Sequence, residues 1–157
     1  MPKPLRRLAR GAGAGAVGTA LINLSTYLDM ALRGRPPSSV PQQDVQRLAD
    51  RANVSLGDDE ASADARRSAL GSLMGYATGF GFGVAYSVVE PATRGLPRMA
   101  RAAVVGVGAM AVTDGTSAAL GTTDPRTWTP QAWAADLVPH LAFGVGVVVA
   151  YDALNHT

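Results

Sequence analysis

Four long stretches of this chain carry almost no charge, and that constrains the fold more than any other feature. Residues 11–28 (GAGAGAVGTALINLSTYL) and 69–89 (ALGSLMGYATGFGFGVAYSVV) hold no charged side chain. Residues 102–120 carry only Asp114, and 132–151 only Asp136 and His140. A bilayer core of about 30 Å is crossed by about 20 apolar residues of helix. A soluble helix would show a polar face at the helical period, and these stretches show none. The expectation is an all-α integral membrane bundle of four transmembrane helices, with spans at about 11–32, 68–90, 99–121 and 132–153. The whole chain, 1–157, then forms one membrane domain whose first partner is the lipid bilayer. The competing reading is a soluble bundle rich in alanine and glycine.

Composition agrees with burial in lipid. Residues of the AVILMFWYC set make up 47% of the 157, and charged residues 17%, against about 25% in ordinary soluble domains. Such a chain is not disordered. The absence of cysteine excludes a disulfide scaffold, a thiolate metal site and a cysteine nucleophile. A net charge of +2 is too small to point to nucleic acid.

Lysine and arginine set orientation. Lys3, Arg6, Arg7 and Arg10 precede the first span, and Arg94, Arg98 and Arg101 separate the second from the third. The other two connections also hold seven cations, so counting alone ties. The first two clusters are short and nearly free of acids, which favours both termini in the cytoplasm. Trp128 and Trp133 then form an outer aromatic belt, with Tyr86 and Tyr151 near the inner one. MPKPLRRLAR looks like the basic start of a signal peptide, with Arg6-Arg7 hinting at twin-arginine export. The apolar run that follows is long and lacks an A-x-A site, so an uncleaved first helix is expected.

The connection 33–67 is polar. RGRPPSSVP reads as a turn-rich exit. Ser39, followed by Pro41 and Gln42, reads as a helix start with a capping box. Val45, Leu48 and Ala52 share one face, giving a short amphipathic helix ending near Gly57 that lies on the bilayer or folds over the bundle mouth. A solvated linker is the plainer alternative. Asp58, Asp59 and Glu60 suit the positive start of a further helix that continues into the second span.

Two patterns stand out as sites. Gly71, Gly75, Gly79 and Gly83 recur every four residues and line one stripe of the second span, where a neighbouring helix can approach closely. That neighbour is either another copy, making a homo-oligomer or larger complex, or a helix of the same chain. Asp29, Asp114, Asp136 and His140 are ionisable groups inside or at the edge of spans, where such groups usually face the bundle interior. Asp136 and His140 lie at i and i+4, and Pro139 frees a carbonyl beside them. The expectation is a shared polar pocket of Asp114, Asp136 and His140 with Asp29 at its rim. It serves either as a structural hydrogen-bond knot, or as a proton relay, a polar-substrate site or a metal site. A single histidine within the spans argues against a metal site. Glu90 and Asp152 fall at the inner edge and read as interfacial.

Gly13-x-Gly15-x-x-Gly18 and Gly106-x-Gly108-x-x-Ala111 match the dinucleotide fingerprint in letters only. Neither follows a strand, so no nucleotide cofactor is expected. No nucleophile is fixed by an adjacent base, and the chain is expected not to be an enzyme.

The order of segments resembles one family. A basic N-terminus, RPPSSVP, FGVAYSVVEP, a short basic loop, LGTTDPRTWTP and a closing DLVPHLAFGV follow one another as in the YagU-like bacterial inner-membrane proteins. The first connection is shorter here than in that family. The resemblance implies an integral plasma-membrane protein and supplies no catalytic residues. Together with a composition heavy in Ala, Gly and Arg, it points to a GC-rich bacterial genome. The function expected is a non-enzymatic assembly or accessory subunit, with a proton-linked transporter or channel as the rival.

Overall fold

The structure is a computed structural model that describes residues 2–155. Its elements are α1 (Lys3–Arg33), α2 (Val40–Ala52), α3 (Glu60–Thr93), α4 (Arg98–Leu120), a 3-10 turn (Pro125–Thr127) and α5 (Pro130–Asn155). Among the described residues the fold is all-α.

Local chemistry sets the ends. α1 stops at Gly34 and α4 at Gly121, both left-handed, with φ of 61° and 79°. A side chain at either position would strain the backbone. α3 begins at Asp59, whose carboxylate accepts from the Ser62 amide at 2.9 Å and the Ser62 hydroxyl at 2.8 Å. Those bonds hold the Asp59 carboxyl below its usual range. From there the helix runs unbroken for 34 residues.

α2 departs from the expected pattern at both ends. Ser39 makes no capping bond to a backbone amide. Its backbone is already helical, which turns the hydroxyl away from the first-turn amides, and Gln43 Nε2 donates to it instead at 2.8 Å. The helix stops at Ala52 rather than near Gly57, because Asn53 takes the left-handed conformation at φ 58° and closes it.

Close helix approach is built on small residues. α1 lies between α3 and α5, and α4 packs on the far side of α5. α1 and α3 run antiparallel, with Gly15 against Gly79 and Gly11 against Gly83. α1 meets α5 where Gly18 faces Phe143 and Val147, with Gly146 beside it. α4 meets α5 where Gly106 and Gly144 each face the other helix's backbone. Aromatic pairs then close α3 onto α5: Phe82 with Phe143 at 6.4 Å and Tyr86 with Tyr151 at 5.3 Å, both edge-to-face. The two tyrosines are therefore buried against one another and do not form an aromatic belt. Trp128 and Trp133 also pair, with centroids 5.1 Å apart.

At the opposite end of the bundle, α2 packs against both α3 and α4. Pro41 seats on Gly71. The buried Asp44 carboxylate accepts hydroxyl bonds from Ser117 at 2.6 Å and Thr122 at 2.5 Å. Arg51 donates to the Ala119 carbonyl at 3.1 Å. The amphipathic helix is thus a plug held by polar bonds, and the linker alternative is set aside.

Among the described residues two helices, α4 and α5, are long and apolar enough to cross a membrane. Four such helices were expected, and α1 and α3 fall short despite their greater length. Their apolar stretches are diluted by glycine and by Asn23, Ser25, Thr26, Ser72 and Thr78. Their outer turns carry Lys3, Arg6 and Arg7 on α1, and Glu60, Asp64 and Arg66 on α3.

Candidate functional site

Two polar clusters lie at opposite ends of the bundle. The first joins α4 and α5. On α5, one helical turn places His140 above Asp136, with the ring Nδ1 3.2 Å from Asp136 Oδ2. The same Nδ1 donates to the Asp136 carbonyl at 2.9 Å, since a carbonyl can only accept. This fixes the ring orientation and turns Nε2 toward α4, where Thr113 Oγ1 lies at 3.4 Å. The Thr113 hydroxyl also reaches the Ala109 carbonyl at 3.0 Å. Its single proton therefore serves either that carbonyl or a neutral imidazole, and an imidazolium would donate to it instead. Asp114 on α4 lies within electrostatic reach of both Asp136 and His140. Asp136 Oδ2 is buried, and among the described residues its one near polar neighbour, His140 Nδ1, directs its proton to the Asp136 carbonyl instead. The cluster is a set of proton donors and acceptors, and no group of acids and histidines among the described residues is arranged to hold a metal ion.

Asp29 does not join these three. Its carboxylate is taken by Arg33 at 3.2 Å and by Arg35, which the turn at Gly34 brings back over the end of α1. Thr113 is a member that sequence reasoning missed. It differs from the other hydroxyls of α4 only in facing α5, which cannot be read before the packing is known.

The glycine stripe is divided by its neighbours. Gly79 and Gly83 face α1 and Gly71 faces Pro41, whereas Gly75 has open space around its Cα.

The second cluster occupies the other end, where Glu90 and Asp152 were read as interfacial. Both are firmly held. Arg101 grips Asp152 with two bonds of 3.0 Å and donates to the Tyr86 hydroxyl at 2.9 Å, tying α4, α5 and α3 together. Arg98 adds a contact to the same carboxylate at 3.2 Å. Glu90, only 7% exposed at its side chain, takes a bidentate pair from Arg94 at 2.7 and 3.0 Å. Pro91 lacks an N–H, which leaves the Ser87 carbonyl without its intrahelical donor. Arg7 of α1 supplies one through Nε at 2.5 Å and also reaches the Val88 carbonyl at 3.1 Å. The signal was present in the sequence as a proline four residues after Ser87, but its partner lies 80 residues away.

Compared with known proteins, the chain matches no family model, no curated protein and no solved structure.

Proposed function

We propose that this chain is a multi-pass membrane bundle in which α1, α3, α4 and α5 all span, with both termini on the cytoplasmic side of a bacterial plasma membrane. It acts without catalysis, as an assembly or accessory subunit, in keeping with its resemblance to the YagU-like proteins. One observation carries the reading: the bundle is apolar on the outside. Leu24, Leu28, Leu73, Phe80, Val104, Val112 and Val138 are all exposed on the outer faces of the four long helices. The interior is apolar as well, with Tyr86, Phe143, Val147, Val148 and Tyr151 packed together and small residues only where the helices approach most closely. Large apolar side chains exposed along all four long helices are unfavourable in water, and a bilayer solvates them. Gly75, Gly81, Gly108 and Gly115 face outward with nothing against them, which suits close approach by a further helix.

The test uses the absence of cysteine. Asp58→Cys, between α2 and α3, and Gly95→Cys, between α3 and α4, are expressed separately and treated with a membrane-impermeant maleimide. Asp58→Cys is expected to label in intact cells and Gly95→Cys only after permeabilisation, because α3 lies between them. Labelling of both from one side would reduce the membrane part to α4 and α5. Release of the chain by alkaline carbonate would remove it from the membrane altogether.

A second reading, proton-linked transport, is favoured by the buried Asp136 Oδ2, which has His140 Nδ1 at 3.2 Å and Asp114 nearby. Proteoliposomes loaded with a pH-sensitive dye are expected, on that reading, to show flux that Asp136→Asn abolishes. No flux under any imposed gradient would leave the cluster as a structural knot between α4 and α5.

A further inference from the structure

Charge is distributed very unevenly between the two ends of the bundle. At the end where α3 turns into α4 lie Lys3, Arg6, Arg7 and Arg10 of α1, with Arg94, Arg98 and Arg101 beside them. Contacts between elements place them together: Arg7 reaches Val88, Arg10 reaches Asn155, and Arg101 reaches Asp152. Among the described residues only Glu90 and Asp152 oppose these seven cations. At the other end the seven remaining cations meet eight acids, with Asp114 and Asp136 beneath them. The excess is therefore local, and it is not neutralised among the described residues. Arg98 and Arg101 share one carboxylate, Arg7 and Arg10 bond only to neutral oxygens, and Lys3 and Arg6 have no partner among the described residues.

The helix ends add to the excess. α1 and α4 both begin here, on Pro2 and Pro97, with no side-chain cap and no acid in the first turn. Their positive poles face the same way as the cations. α3, which begins at the opposite end, carries an Asp59 cap and Glu60 in its first turn. Directly beside the cations, Leu5, Val89, Leu96 and Met99 are exposed. Cations next to outward apolar side chains match the boundary between phosphate headgroups and acyl chains.

We infer that this basic collar binds the headgroups of anionic phospholipids, with Lys3 and Arg6 meeting the phosphates while Leu96 and Met99 enter the acyl layer. The inference rests on the membrane reading above and assigns a lipid class to one face of it. Each cation held at an anionic surface contributes about 1 kcal/mol, or about fivefold in affinity.

The full chain is reconstituted in nanodiscs of mixed phosphatidylcholine and phosphatidylglycerol and extracted in mild detergent, and the retained lipids are counted by mass spectrometry. Phosphatidylglycerol is expected to be enriched over its bulk share. The enrichment should fall about fivefold or more in Lys3→Gln/Arg6→Gln, fall with added salt, and persist in Arg47→Gln, whose exposed side chain lies at the other end. Retention at the bulk ratio, or enrichment untouched by the double substitution, would overturn the inference. So would displacement of the lipid by inorganic phosphate at constant ionic strength, which would mark a site for soluble phosphate. Carbonate resistance of the same preparation separates these failures from failure of the membrane reading itself.

Discussion

Gly83→Leu should unfold the contact between α1 and α3, at a cost of about 3 kcal/mol or more, while Gly75→Ala in the same stripe should be neutral or slightly stabilising. The two positions differ by eight residues, so they share a helix face by period alone. Their surroundings are opposite. A Cβ built on Gly83 meets the Gly11 carbonyl and the Gly15 backbone. Backbone atoms cannot rotate away as a side chain would, so relief requires the helices to separate. Overpacking of a compliant core costs about 1–3 kcal/mol, and a backbone clash belongs at or above the top of that range. Gly75 has nothing near its Cα, so alanine there meets no obstacle and gains about 0.5–1 kcal/mol of helix preference. Thermal unfolding in detergent, followed by helical circular dichroism, measures both. Equal destabilisation by the two substitutions would mean that the stripe packs in some other register.

That contrast also marks where sequence reasoning stops. The spacing of four identifies the stripe, but it cannot say which members of it are covered. Coverage depends on α1 meeting only Gly79 and Gly83, and on α2 setting Pro41 on Gly71. The helices were legible because their signals are local: Asp58, Asp59 and Glu60 as a start, and long uncharged runs on either side of the polar connection; the left-handed stops at Gly34 and Gly121 come from the backbone. Membership of the polar cluster was only partly legible. Asp136 and His140 are fixed by one helical turn, whereas Asp29 is diverted by Arg35 across a turn whose geometry the sequence does not specify. Asp44 carries no mark of its role in the sequence. It is buried because Ser117, 73 residues later, donates to it. Counting cations by connection gave a tie, and the asymmetry emerges once acids are assigned to the two ends of the bundle.

The largest single loss outside the glycines is expected at Asp152. Arg101 and Asp152 are 12% and 15% exposed at their side chains, so their attraction is weakly screened and their desolvation has already been met on folding. Asp152→Ala removes both carboxylate bonds from Arg101 and leaves Tyr86 Oη as its remaining partner. Arg101 Nε is already buried without an acceptor, so the guanidinium has no spare bond to fall back on. Stranding one member of such a pair costs about 3–5 kcal/mol. Replacing both members with apolar groups avoids the stranded charge, so Arg101→Leu/Asp152→Leu should recover most of that loss. Arg98, 60% exposed, keeps its hydration in either variant and should contribute little. A double-mutant cycle on Arg101 and Asp152, read by thermal unfolding in detergent, isolates the pair. A coupling of about 2 kcal/mol or more is expected, because each single substitution leaves a charge that the double one removes. Additive losses would mean that the three-helix tie through Tyr86, Arg101 and Asp152 carries no stability of its own, and that the aromatic pairs alone close α3 onto α5.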